Sequence, residues 1–187
     1  RPQMDSVGCC GYLKEQHEMC KQSHKENGRT VTQLFVALAG KMEHQTGLAI
    51  DIGLKKESID FIRPDFPYIC ICQQFREKSV PYGFIERYPR EKEHITGIAH
   101  EPWHFRYVGT PHAEIMREHH FCLEEYIDFL KRFSQDQPYT FYKDSQEIQI
   151  FYLKADTESV SLEVAEDGSL SVSGNNVDGY IITEWRG

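Results

Sequence analysis

The stretch Thr96–Gly109, TGIAHEPWHFRYVG, decides how the rest of the chain is read. It is a hydrophobic and aromatic run between glycines, which reads as a strand over EPWHFRYVG. Glu101 and His104 interrupt it. A carboxylate and an imidazole in an apolar strand are costly to bury unless a charged partner meets them. A metal ion is the first such partner to consider, and other parts of the chain should then supply further ligands.

The stretch EHQTGLAIDIG, Glu43–Gly53, supplies them. It carries His44 and Asp51 on either side of Gly47 and a short strand expected over 47–52. Two imidazoles and one carboxylate make a zinc site with an open fourth position. A further carboxylate beside it can act as general base and then general acid. The natural roles are His44, Asp51 and His104 as metal ligands, with Glu101 as proton shuttle. Glu101 as ligand with Asp51 outside the ligand set satisfies the same chemistry.

The remaining composition is compatible with this reading. The chain has 187 residues and is 40% hydrophobic, enough to build a core. Its net charge of -8 argues against nucleic acid or an anionic membrane surface as the main partner. No apolar run reaches the length of a membrane span, and no signal-peptide core is present. The opening RPQMDS is an odd place for a natural chain to begin, so preceding residues are expected. A cytoplasmic location is expected, although a preceding segment could carry an export signal. The six cysteines lack zinc-ribbon spacing and read as reduced thiols.

Along the chain, helices are expected over Lys14–Asn27, over YICICQQFREKS (Tyr68–Ser79) and after Pro111 in PHAEIMREHH. Leu123, Tyr126, Ile127 and Leu130 form a helical core stripe. A strand is expected over Phe84–Tyr88. From Tyr139 onward the helical period disappears, and short strands separated by EDGS and NNVDG turns take over. The expectation is an α+β zinc-site domain over residues 1–134, with a small antiparallel β extension over 135–187.

Taken as whole strings, EHQTGLAIDIG and GIAHEPWHFRYVG resemble the signature of the zinc D,D-peptidases of the VanX, VanY and VanXY group. That pattern is Ser-x-His-x-x-Gly-x-Ala-x-Asp followed later by Glu-x-x-His. YGFIERYP also resembles the family, and KENG with FVAL resembles the VanXY branch. The likeness runs from about Gly11 to Phe133. It implies a mixed α+β fold shared with Hedgehog-type peptidases, and it implies zinc. It also implies hydrolysis of D-Ala-D-Ala, or removal of the terminal D-Ala from peptidoglycan precursors, as in glycopeptide resistance. By the resemblance His44, Asp51 and His104 fall on the zinc ligands and Glu101 on the catalytic acid/base. Trp103, Met42 and Thr46 fall in the substrate pocket, with a core position as the alternative for Trp103. Thr46 and Gly47 shape the loop that carries His44. His100 is a further candidate to line the site. A homodimer is left open.

Two departures stand out. The family serine two residues before the first ligand is Met42 here. The family also places an arginine after a Gly-Tyr pair, where it stabilises the developing oxyanion. The corresponding position is Leu13 or Gly11, depending on alignment, with Lys14 adjacent. These departures motivate two rival readings: a zinc-retaining homologue that binds cell-wall peptides or a protein partner without turnover, and an amidase of altered specificity.

Overall fold

The computed structural model describes residues 3–8, 43–58, 60, 63–155 and 168–186. The helix expected over 14–27, Met42, and the positions matched to the family arginine lie outside the described residues. The structure divides into two compact units, Arg1–Cys122 and Leu123–Gly187.

The first unit is built on a four-stranded antiparallel sheet. Its strands are β1 (Met4–Gly8), β2 (Ala49–Leu54), β3 (Phe84–Tyr88) and β4 (Glu101–Tyr107), in the order β1-β2-β4-β3. β2 starts later than the sequence suggests. Gly47 adopts a left-handed φ of 72° and its N–H bonds to the His44 carbonyl, closing the 3-10 turn Glu43–Thr46. Gly47 therefore ends a turn rather than opening a strand. Helix α1 (Cys70–Ser79) stops before Pro81, as the missing proline N–H requires. The short helix α2 (Glu93–Thr96) precedes β4, and α3 (His112–His119) follows Pro111.

Alternation along β2 and β4 sorts residues onto two faces. Ile50 pairs with Phe105 and Asp51 with His104. Opposed residues share a face, so the apolar pair and the polar pair point in opposite directions. The apolar face packs Ile52, Trp103 and Phe105 against Phe66 and Cys72, with Ile50, Phe75 and Phe84 around them. Phe66, Phe75 and Phe105 meet edge to face, with centroids 4.9–5.9 Å apart. Trp103 packs in this cluster, on the face opposite His104, which is the core position given as the alternative to a pocket role.

β4 is irregular in its first half. From Phe105 to Glu101 the strand takes four steps, while its partner takes two, from Glu86 to Tyr88. Strict alternation would turn residues three apart to opposite faces. The bulge removes that constraint for Glu101 and His104.

The second unit begins with helix α4 (Leu123–Leu130) and continues with β5 (Tyr139–Lys143), β6 (Gln146–Lys154), β7 (Ser169–Gly174) and β8 (Gly179–Arg186). The strands form an antiparallel sheet in the order β5-β6-β8-β7. The division between units thus falls ahead of the boundary expected at 134, because α4 contacts β6. Tyr126 and Leu130 of the expected helical stripe are buried, and Ile148, Ile150, Phe151 and Ile182 are buried along the strands. Asp144 and Ser145 both take positive φ in the two-residue turn joining β5 to β6, which matches the twist of the flanking strands. In NNVDG the Asn175 side-chain oxygen accepts the N–H groups of Val177, Asp178 and Gly179.

A Cβ at Gly83, which has φ 84°, would lie 2.8 Å from the Gly109 backbone, so neither strain nor contact can relax cheaply. Gly83→Ala should lower unfolding free energy by about 1–3 kcal/mol in denaturant titration. Trp103→Ala should cost about 3–5 kcal/mol by the same measurement, as expected for an aromatic removed from a core.

Candidate metal centre

The polar face of the sheet brings three sequence-distant side chains together. His44 sits in the Glu43–Thr46 turn immediately before β2. Asp51 is the third residue of β2, and His104 faces it from β4. One donor atom from each of these three residues lies within 4.8 Å of the other two. Asp51 Oδ1 is 2.9 Å from His104 Nδ1 and 3.1 Å from His44 Nε2. Nitrogen and oxygen donors at ~2.0–2.2 Å from a tetrahedral zinc lie ~3.3–3.5 Å from one another, so the observed spacing is close to that of a ligand set.

His44 Nε2 supplies an independent test of fit. It is buried and, despite its nearness to Asp51, the approach is not aligned for a hydrogen bond, so this nitrogen has no hydrogen-bond partner. A buried orphan nitrogen is costly, and coordination to a cation is one way to satisfy it. The two imidazole rings meet edge on, with centroids 4.7 Å apart. Two imidazoles and a carboxylate suit zinc, and these residues fit it.

Glu101 lies beside this group. Its Oε2 is 3.8 Å from His104 Nδ1, a position the β4 bulge permits. The carboxyl is buried, and burial pushes it up to about 8. His104 pulls the value down, while the Asp51 and Glu43 carboxylates push it up. Burial also opposes ionisation of Asp51, yet the hydrogen bond with His104 and the nearby His44 imidazole bring its carboxyl below the ordinary value. For His104, burial disfavours a charge, but the bonds to Asp51 and Glu43 hold its imidazole up at about 9. The carboxylates therefore favour positive charge at this point, which a proton or a metal ion can supply.

Four residues that motif spacing does not single out complete the surroundings: Glu43, Arg87, Arg106 and Tyr88. Glu43 Oε1 accepts a 2.8 Å hydrogen bond from Arg87 Nε and lies 3.4 Å from Arg106 Nη1. Its other oxygen faces His104 Nε2 at 3.5 Å. Burial raises the Glu43 carboxyl, but His104 and the two guanidinium groups bring it down to about 2. A signal for Arg106 was legible: it stands two residues from His104 on a strand and so shares its face. Glu43 reads in the sequence only as a charged neighbour of His44. Tyr88 stacks obliquely on His104, with centroids 5.1 Å apart.

Thr46 is exposed, and its hydroxyl bonds to the Glu43 carbonyl and accepts the Leu48 N–H, so it builds the turn carrying His44. His100 is engaged elsewhere: Nε2 meets Tyr68 Oη at 2.7 Å and Nδ1 meets Arg90 Nη2 at 3.2 Å. Among the described cysteines, Cys70, Cys72 and Cys122 are all unbridged. No helix among the described residues is long and apolar enough to cross a membrane.

Known proteins resemble this chain in sequence and in fold. The family described as "VanY: D-alanyl-D-alanine carboxypeptidase" matches residues 5–110. The bifunctional D-Ala-D-Ala dipeptidase and D-Ala-D-Ala carboxypeptidase VanXYC of Enterococcus gallinarum is 52% identical over 118 residues, 63% of this chain and 62% of that protein. This chain thus spans less than two thirds of that relative. The vancomycin resistance D,D-dipeptidase VanXYg, solved in complex with a D-Ala-D-Ala phosphinate analog, superposes with a TM-score of 0.95 at 49% identity. The match covers 98% of this chain and 73% of VanXYg. The D,D-pentapeptidase VanY of a VanB-type resistance cassette, solved as a mutant in complex with Zn(II), matches with a TM-score of 0.55 at 30% identity. That match covers 67% of this chain and 72% of the other. With a family match over more than half its length and a near-complete structural counterpart in VanXYg, the chain belongs to the VanY D-alanyl-D-alanine carboxypeptidase family.

Proposed function

We propose that this chain is a zinc-dependent D,D-peptidase that hydrolyses D-Ala-D-Ala, removes the terminal D-Ala from peptidoglycan precursors, or does both. The observation that carries the reading is the convergence of His44, Asp51 and His104 with Glu101 beside them, in a chain of this family. The names of VanXYC and VanXYg point to the same substrate class.

In this reading His44 Nε2, an Asp51 oxygen and His104 Nδ1 hold zinc. The metal, when bound, supplies Lewis acidity toward the scissile carbonyl and toward water. Glu101 takes the proton of the attacking water and delivers it to the leaving amine of D-alanine. A carboxyl displaced by burial toward neutral pH is suited to carry a proton in both directions. The surrounding protein limits its motion: Glu101 and His104 are both almost fully buried, and the core beneath β4 fixes the strand. A site held this way can keep reacting groups in place without reorganisation.

The test is D-alanine release from D-Ala-D-Ala and from a muramyl pentapeptide, with zinc-loaded protein. Release is expected from at least one substrate. Chelation should abolish it and added zinc restore it. Glu101→Gln should keep zinc at one per chain while lowering kcat by roughly 10²–10⁴-fold, the span usual for a positioned acid/base. Absence of release from wild-type protein carrying one zinc would overturn the reading.

A further inference from the structure

Resting on that reading, we propose that Glu43 is a positioning residue that sets which nitrogen of His104 faces the metal. His104 Nδ1 points into the donor cluster, 2.9 Å from Asp51 Oδ1, so this nitrogen is the one available as ligand. A neutral imidazole has one protonated and one unprotonated nitrogen. Ligation through Nδ1 therefore requires the proton on Nε2. Glu43 Oε2 is the acceptor facing Nε2.

Glu43 can hold that role because its own position is determined. Oε1 is taken by Arg87 and Arg106, two guanidinium groups from neighbouring strands β3 and β4. The carboxylate is thereby oriented with its second oxygen toward His104. The 3.5 Å separation is long for a hydrogen bond, so the arginines, rather than the bond to His104, hold the carboxylate in place. Tyr88 and His44 pack on the imidazole ring and limit its rotation. Outer partners of this type, a carboxylate on the far nitrogen of a ligating histidine, tune affinity for the metal.

The amide variant reverses the arrangement. In Glu43→Gln the charged arginines retain the side-chain oxygen, and the amide nitrogen turns toward His104. A donor then faces Nε2, which favours the tautomer with the proton on Nδ1, where the metal must bind. Glu43→Asp tests the same contact differently. It keeps the charge that balances Arg87 and Arg106 but withdraws it from His104.

The experiment measures zinc affinity by chelator competition for wild type, Glu43→Gln and Glu43→Asp. Thermal midpoints of the zinc-free proteins are recorded alongside, as are nitrogen-15 spectra of the zinc-loaded imidazoles. The expected result is a loss of affinity of about 10–100-fold in both variants, with faster solvent exchange of the His104 Nε2–H signal in zinc-loaded Glu43→Gln, where its acceptor is gone. If Glu43→Gln does not fold, Glu43→Asp decides. Folded variants with wild-type affinity and an unchanged His104 signal overturn the role of Glu43 alone. Wild-type protein that takes up no zinc overturns both this inference and the proposed function.

Discussion

The opposition of Asp51 and His104 across β2 and β4 is the constraint on which the centre depends. The two side chains meet at 2.9 Å because their strands pair in one register. A slip of one residue would turn the pair into the core and expose its apolar neighbours. The other face resists that slip. Ile50, Ile52, Trp103 and Phe105 are locked against Phe66 and Phe75, so burial of apolar area on one side maintains a polar cluster on the other.

Charge is distributed around this pair in a way that separates its carboxyls. Glu43 meets two arginines and ionises readily, at about 2. Glu101 is buried close to Asp51 and Glu43, and its carboxyl is pushed up to about 8. Carboxyls within one cluster are thus driven apart by their different neighbours, the pattern by which one site keeps a fixed anion and a mobile proton. Asp51 lies between the imidazoles and is held below its ordinary value.

The β4 bulge links backbone to chemistry. Glu-x-x-His is a three-residue spacing, which an unbroken strand would split between faces. Two extra residues in β4 between the pairs Glu86–Phe105 and Tyr88–Glu101 bring Glu101 within 3.8 Å of His104 Nδ1. A bulge beside a reactive centre re-aims a side chain without disturbing the core-facing residues.

The sequence alone determined the α+β class and the succession of strands in the C-terminal unit. It also identified the residues of the donor cluster and the neighbouring Glu101. These are local matters: apolar periodicity, turn residues and the cost of polar groups in an apolar run all act over a few positions. The packing of Trp103 was less legible, since one strand does not reveal which of its faces meets the helix. The place of α4 also required the structure, because its affiliation depends on contact with β6 rather than on its own stripe. The place of Arg106 on the His104 face was legible, but its meeting with Glu43 and Arg87 was hidden for the same reason. Glu43 stands 44 residues from Arg87 and 61 from His104, and only the pairing of β3, β4 and the turn before β2 closes those separations. Residue identity set what chemistry was available; long-range strand register, stabilised by core burial, decided which groups could meet.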